Sequence, residues 1–210
     1  MYGAGVDVVL LTAGSDLTYF SGYEAMPLER ITALVVSAVG EPTLFVPGLE
    51  APRVDHGDFE VVTWKETDDP FRLISTRMGS PRSVAVGETM WSGFLLNFQN
   101  RLGGVDWTVA SALSRELRMR KEPGEIDRLR RAAEATDRVL ARVADEIQFA
   151  GRTERDIAAD FARMTVDEGH DRSWFTIVAS GPNSASPHHE TGARVVEEGD
   201  MVGCGFGGTI

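Results

Sequence analysis

The sequence holds one cysteine, Cys204, so no internal disulfide can form. A reducing compartment, the cytoplasm, is the expected setting. No run of about 18 apolar residues occurs, which argues against a membrane-spanning helix. The N-terminus lacks a basic segment followed by an apolar stretch, which argues against secretion. Cations are scarce: 21 Lys plus Arg stand against 32 Asp plus Glu, a net charge of −11. A non-specific nucleic-acid binder carries the opposite balance. An anionic membrane surface would also repel such a chain. There is no internal repeat and no low-complexity tract. What remains is ordinary globular composition, 42% hydrophobic and 25% charged, over 210 residues, enough for one or two domains.

In the first half, short apolar runs alternate with helical patterns. Strands are expected at 6–11, 31–37, 43–46, 59–64, 83–86 and 107–110, with Gly40-Glu41-Pro42 as a turn. Helices are expected at 71–78, 91–102 and 112–120. In the second of these, Trp91, Leu95, Phe98 and Leu102 fall on one face. Glu66, Asp68 and Asp69 precede Pro70 and suit the start of a helix. The pattern reads as an α/β domain with a mixed sheet. The first strand run begins almost at Met1, as though the chain were a piece of a longer one.

Lys121-Glu122-Pro123-Gly124 marks a boundary, because proline disfavours helix before it and suits a new helix start. Two domains are therefore expected, 1–120 and 121–210. Beyond it, Ile126, Leu129, Ala133, Thr136, Leu140, Val143 and Ile147 step by threes and fours as one apolar stripe. A buried helix is favoured over a coiled coil, because the heptads are few and Gly151 ends them. Thr153 and Asp156 form a capping pattern before Ile157, Phe161 and Met164. Strands are expected at 174–179 and 201–206. Cys204 reads as an inert residue of an apolar strand. His56 and His170 sit in polar turns and are expected to be solvated. Glu24 and Glu29 flank Met26-Pro27 in a loop read as solvated.

The loop Ser180-Gly181-Pro182-Asn183-Ser184-Ala185-Ser186-Pro187-His188-His189-Glu190 is the most informative stretch. Adjacent residues on extended backbone point to opposite sides, so His188 and His189 do not readily share one metal ion. Substrate or proton handling, metal binding and a plain hydrogen-bonded loop all remain open from these residues alone. Gly203, Gly205, Gly207 and Gly208 form a glycine-rich tip. It is not followed by the helix a phosphate loop needs.

The loop, together with its flanks, resembles the signature of the Xaa-Pro dipeptidase and aminopeptidase P family, the pita-bread metallopeptidases. Leu117-Arg118 with Lys121-Glu122-Pro123 and Glu125-Ile126 is similar to that family's entry into its catalytic domain. Residues 174–181 resemble the strand before the loop, and Gly199-Asp200-Met201-Val202 to Phe206-Gly207-Gly208 resemble the strand after it. Residues 15–23 are similar to a creatinase-type N-terminal domain. The resemblance implies a creatinase-type mixed sheet with flanking helices, followed by the first half of an α+β pita-bread domain. It also implies hydrolysis of Xaa-Pro peptides by two divalent ions, manganese or cobalt, held by two aspartates, a histidine and two glutamates. His188 would contact substrate or the tetrahedral intermediate rather than metal.

One position departs from that pattern. The family's first metal-ligand aspartate opens Asp-Phe-Gly-Gly, whereas this chain reads Gly205-Phe206-Gly207-Gly208. The other four ligands lie further along the family's sequence, beyond Ile210. The expectation is a truncated family member with no metal bound and no activity by itself. The alternative is a non-catalytic module that dimerises or binds a partner. Apolar residues left without their usual cover, including Trp174 and Phe175, lead to the expectation of a homodimer or larger assembly.

Overall fold

The structure, a computed structural model, describes residues 5–55 and 57–210. His56 lies outside the described residues. The chain divides into two compact units, Met1–Arg120 and Lys121–Ile210.

The first unit is built on a six-stranded sheet ordered β4-β3-β2-β1-β5-β6. Its strands are β1 (Val8–Thr12), β2 (Ala33–Ser37), β3 (Thr43–Pro47), β4 (Glu60–Trp64), β5 (Ser83–Val86) and β6 (Asp106–Val109). β2 runs antiparallel to both β1 and β3, and the other pairs are parallel. The sheet is therefore mixed, as expected. Every residue of β1 is buried, which explains why it reads as an unbroken apolar run. Val8 and Leu10 face Ile74 and Met78 of α2 (Pro70–Met78) and Phe98 of α3 (Ser92–Arg101). Val9 and Leu11 face Leu17 of α1 (Ser15–Ser21) and Leu113 of α4 (Ser111–Met119). Each large side chain buried this way contributes roughly 1.5–3 kcal/mol.

Local chemistry sets the element ends. Asp69 accepts the Arg72 amide at 3.0 Å and starts α2 ahead of Pro70. Gly22, at φ 70°, closes α1 with its N–H on Thr18 O at 2.8 Å. The sequence reading did not assign α1 as a helix. Seven residues with one buried side chain carry too little periodicity to show. Trp91 lies outside α3, stacked on Phe94 and 46% exposed, so the expected apolar face begins one turn later.

The second unit pairs α5 (Pro123–Glu146) and α6 (Glu154–Asp167) with a hairpin of β7 (Arg172–Ser180) and β8 (Val202–Thr209). Val139, Val143, Ile147, Ile157, Phe161, Met164, Val178 and Val196 form its core. The expected α5 stripe is corrected here. Ala135, Val139 and Val143 are buried, whereas Leu129 and Leu140 are exposed. A helix has 3.6 residues per turn, so a strict alternation of threes and fours drifts around the cylinder. β8 runs on through the glycines expected to form a tip. His170 is not solvated. It is 4% exposed and sits against Gly208, where an added Cβ would come 2.8 Å from the ring. Cys204 is an exposed residue of β8 and not a member of the core, although its thiol is partly shielded from water.

Candidate functional site

The start of α6 sets out the site. Thr153 caps the helix by accepting the Asp156 amide at 3.1 Å, as the sequence indicates. The first turn of any helix leaves N–H groups without helical partners. Here the backbone of 192–196 supplies them: Glu154 N donates to Arg194 O at 2.9 Å and Arg155 N to Gly192 O at 3.0 Å. Val196 N returns a bond to Arg152 O at 2.9 Å. This lacing brings the segment after the histidines against the helix start.

Glu154, the first residue of α6, is fully buried. Its Oε1 accepts the Ser180 amide at 2.7 Å, the Ser180 hydroxyl at 2.8 Å and Asn183 Nδ2 at 3.0 Å. Its Oε2 meets His189 Nε2 at 2.9 Å and the Gly192 amide at 3.4 Å. Burial pushes this carboxyl up, but the bonds from Asn183, the Ser180 amide, His189 and the Ser180 hydroxyl outweigh it and hold it at about 2. Arg194 extends the network, donating to Ser180 Oγ at 2.8 Å and to Asp200 Oδ2 at 2.6 Å. The Arg194 guanidinium and the Glu197 amide hold the Asp200 carboxyl below its usual range. Gly181, at φ 51°, passes so close that a Cβ there would sit 2.6 Å from Asp200 Oδ1. Only glycine fits that turn.

The two neighbouring histidines separate. His189 turns inward to Glu154, and His188 is exposed. The loop itself is a short 3₁₀ turn, Gly181–Ala185, braced by Ser184 Oγ donating to Gly181 O at 2.7 Å. Below it, β8 alternates. Val202 and Phe206 pack into the core, and Phe161 meets Phe206 edge-on. Strand periodicity puts Gly203, Gly205 and Gly207 on the other face. A hollow of about 190 Å³ opens there, lined by Ile177 and Ala179 of β7, residues 203–205, and Ser184, Ser186 and Pro187 of the loop. Gly205 thus lies beside the loop that carries His188. A Cβ at 205 would meet Ile177 Cβ and Phe175 Cε2 at 3.8 Å, an ordinary contact.

The donor set does not fit a binuclear metal centre. Among the described residues no three His, Cys, Asp or Glu side chains are placed to hold a metal ion. On the β8 face toward the hollow, positions 203, 205 and 207 are glycines, which carry no donor side chain. Partial burial pushes the Cys204 thiol up, which disfavours thiolate chemistry. The sequence reading missed Glu154 and Arg194. Glu154 followed a recognisable cap, and its burial has no local signature.

An α/β domain joined to a helix-backed hairpin with a Ser-Gly-Pro-Asn loop defines a class. The chain belongs to the metallopeptidases of family M24 that carry a creatinase/prolidase N-terminal domain. Residues 1–120 match the creatinase/prolidase N-terminal domain and residues 127–210 match metallopeptidase family M24. Among individual relatives, the chain is 42% identical over 212 residues to a probable dipeptidase PepE of Mycobacterium tuberculosis, covering 98% of this chain and 56% of that protein. The crystal structure of dipeptidase PepE from Mycobacterium ulcerans matches with a TM-score of 0.87 at 40% identity, covering 99% of this chain and 57% of that one. A prolidase from Thermococcus sibiricus matches with a TM-score of 0.91 at 29% identity, covering 99% and 58%. The chain therefore spans little more than half the length of the relatives it matches.

Proposed function

We propose that residues 1–210 are the N-terminal domain and substrate-loop portion of a metallopeptidase of the Xaa-Pro dipeptidase type, and that this polypeptide by itself does not hydrolyse Xaa-Pro bonds. The observation that carries the second statement is Gly205. It faces the hollow under the loop, where the family's first metal-ligand aspartate is expected, and it has no side chain to donate. In the family, two divalent ions sharpen water into a nucleophile and polarise the scissile carbonyl. The side chains described here supply no cage for them. His188, exposed at the loop, is the group assigned to meet substrate. The single cysteine fits a cytoplasmic setting, and among the described residues no helix is long and apolar enough to cross a membrane.

The test is turnover of an Xaa-Pro dipeptide by the 210-residue chain with added manganese or cobalt. No turnover above a His188→Ala control is expected. Metal-dependent hydrolysis well above that control overturns the reading.

A second reading, a dimerisation or partner-binding module, is favoured by one observation. Trp174 is 64% exposed and Phe175 47% exposed on β7, and among the described residues β8 pairs only with β7. Exposed aromatics beside an unpaired strand edge favour association. Light scattering is expected to show a dimer or larger species, and a monodisperse monomer counts against it.

A further inference from the structure

Glu154 accepts hydrogen bonds from three parts of one loop, and its burial is complete. A buried carboxylate is costly unless its lone pairs are filled. Here they are filled by the end of β7, by the Ser-Gly-Pro-Asn turn and by His189. Those bonds span residues 180 to 192, the whole stretch that presents His188. Packing alone does not ask for such a group, because a helix start can be capped from outside, as Thr153 already does.

We propose that Glu154 is the positioning residue of the 180–189 loop and that it acts through His189, pinning that imidazole by Nε2 so that His188 is the ring left exposed. The inference rests on reading the loop as substrate-facing. An ionised carboxylate only accepts hydrogen bonds, so the proton shared with Glu154 sits on His189 Nε2. Neutral His189 is thereby fixed as one tautomer with Nδ1 as the free acceptor. His188 has no such constraint. The two adjacent histidines thus have different jobs: one is a fixed strut and the other is available to a ligand.

The test uses the intact 210-residue chain with ¹⁵N-labelled histidine and reads the ring nitrogens by long-range ¹H–¹⁵N correlation at neutral pH. His189 is expected as the Nε2–H tautomer and His188 as a rapidly exchanging mixture. Glu154→Gln replaces one oxygen with an NH₂ group. The remaining oxygen stays with the three donors at the Oε1 position, so the NH₂ faces His189. His189 is then expected to switch to Nδ1–H while His188 is unchanged. A residue that only fills space would not exchange the two nitrogens. The proposal is overturned if His189 shows the same mixture as His188 in the unmodified chain, or if Glu154→Gln leaves it as Nε2–H.

The unmodified chain decides the first point even if Glu154→Gln does not fold. His189→Ala supplies a second arm. Exchange of the Ser186 amide, which bonds Asn183 O at 3.1 Å, is expected to quicken by about tenfold or more, the size of one lost charged hydrogen bond. Unchanged exchange also overturns the proposal. Failure of the peptidase assay leaves these spectra as they are, and failure of the spectra leaves the peptidase assay as it is, so the two readings fail separately.

Discussion

The two units of this chain hold themselves together differently. In the first, a six-stranded sheet is apolar on both faces, and its buried strands carry almost no side-chain chemistry. In the second, a two-stranded hairpin packs one face on helices, carries glycines along the β8 side of the other, and ties its ends with a buried polar hub. Non-directional burial tolerates exchange of similar side chains, whereas a hub requires particular atoms at particular places. The second unit is therefore the one that can hold a loop in a single conformation for ligand work.

The contrast is sharpest at one core residue on each side. Phe98→Ala, at a fully buried position in the first unit, is expected to cost about 3–5 kcal/mol in denaturant unfolding. Glu154→Ala is expected to cost the second unit about 3 kcal/mol, because it strands the buried Ser180 donors and the part-buried Asn183 and His189 side chains. Hydrogen exchange assigns each loss to its unit. If Glu154→Ala unfolds nothing, the second unit rests on apolar packing like the first, and the comparison breaks.

Acid separates the units next. The Glu154 carboxyl ionises near 2 in the folded chain, below its ordinary 4.5. Its contribution is thus present above about 4.5 and is lost as pH falls from there through about 2. His189, Arg194 and Asp200 face the same cluster, and Arg194 likewise holds the Asp200 carboxyl down. Amide exchange across that window is expected to quicken at 178–196 before it does in β1 and β2. Simultaneous loss in both units would remove the distinction.

The smallest effects come from β8. Gly208→Ala would push a Cβ to within 2.5 Å of Arg172 O and 2.8 Å of His170, and is expected to cost about 1–3 kcal/mol. Gly205→Ala meets only ordinary contacts and is expected to change stability by about 0.5 kcal/mol or less. Equal losses at the two positions would show that Gly205 is held by packing rather than left open.

Much of this was legible from residues in order. β5 falls on 83–86 as expected, and the other strands of the first unit lie within two residues of their apolar runs. The mixed sheet and the M24 relationship were readable as well, the second from the Ser-Gly-Pro-Asn loop and its flanks. The misses share a cause. His170 sits in a polar stretch of sequence yet is buried beneath Gly208, and Leu140 continues a stripe yet is exposed. Both depend on what another segment places against them.

By itself the sequence determined the strands, the major helices, the loop that marks the family and the bare position at Gly205. Each of these is a local pattern or a residue identity, readable at a distance of a few positions. Only the tertiary structure decided that Glu154, Ser180, Asn183, His189, Arg194 and Asp200 form one network, and that His189 rather than His188 is tied down. A hydrogen bond depends on atoms about 3 Å apart, and chain order says nothing about which distant donors will meet a carboxylate once the helix and hairpin have packed.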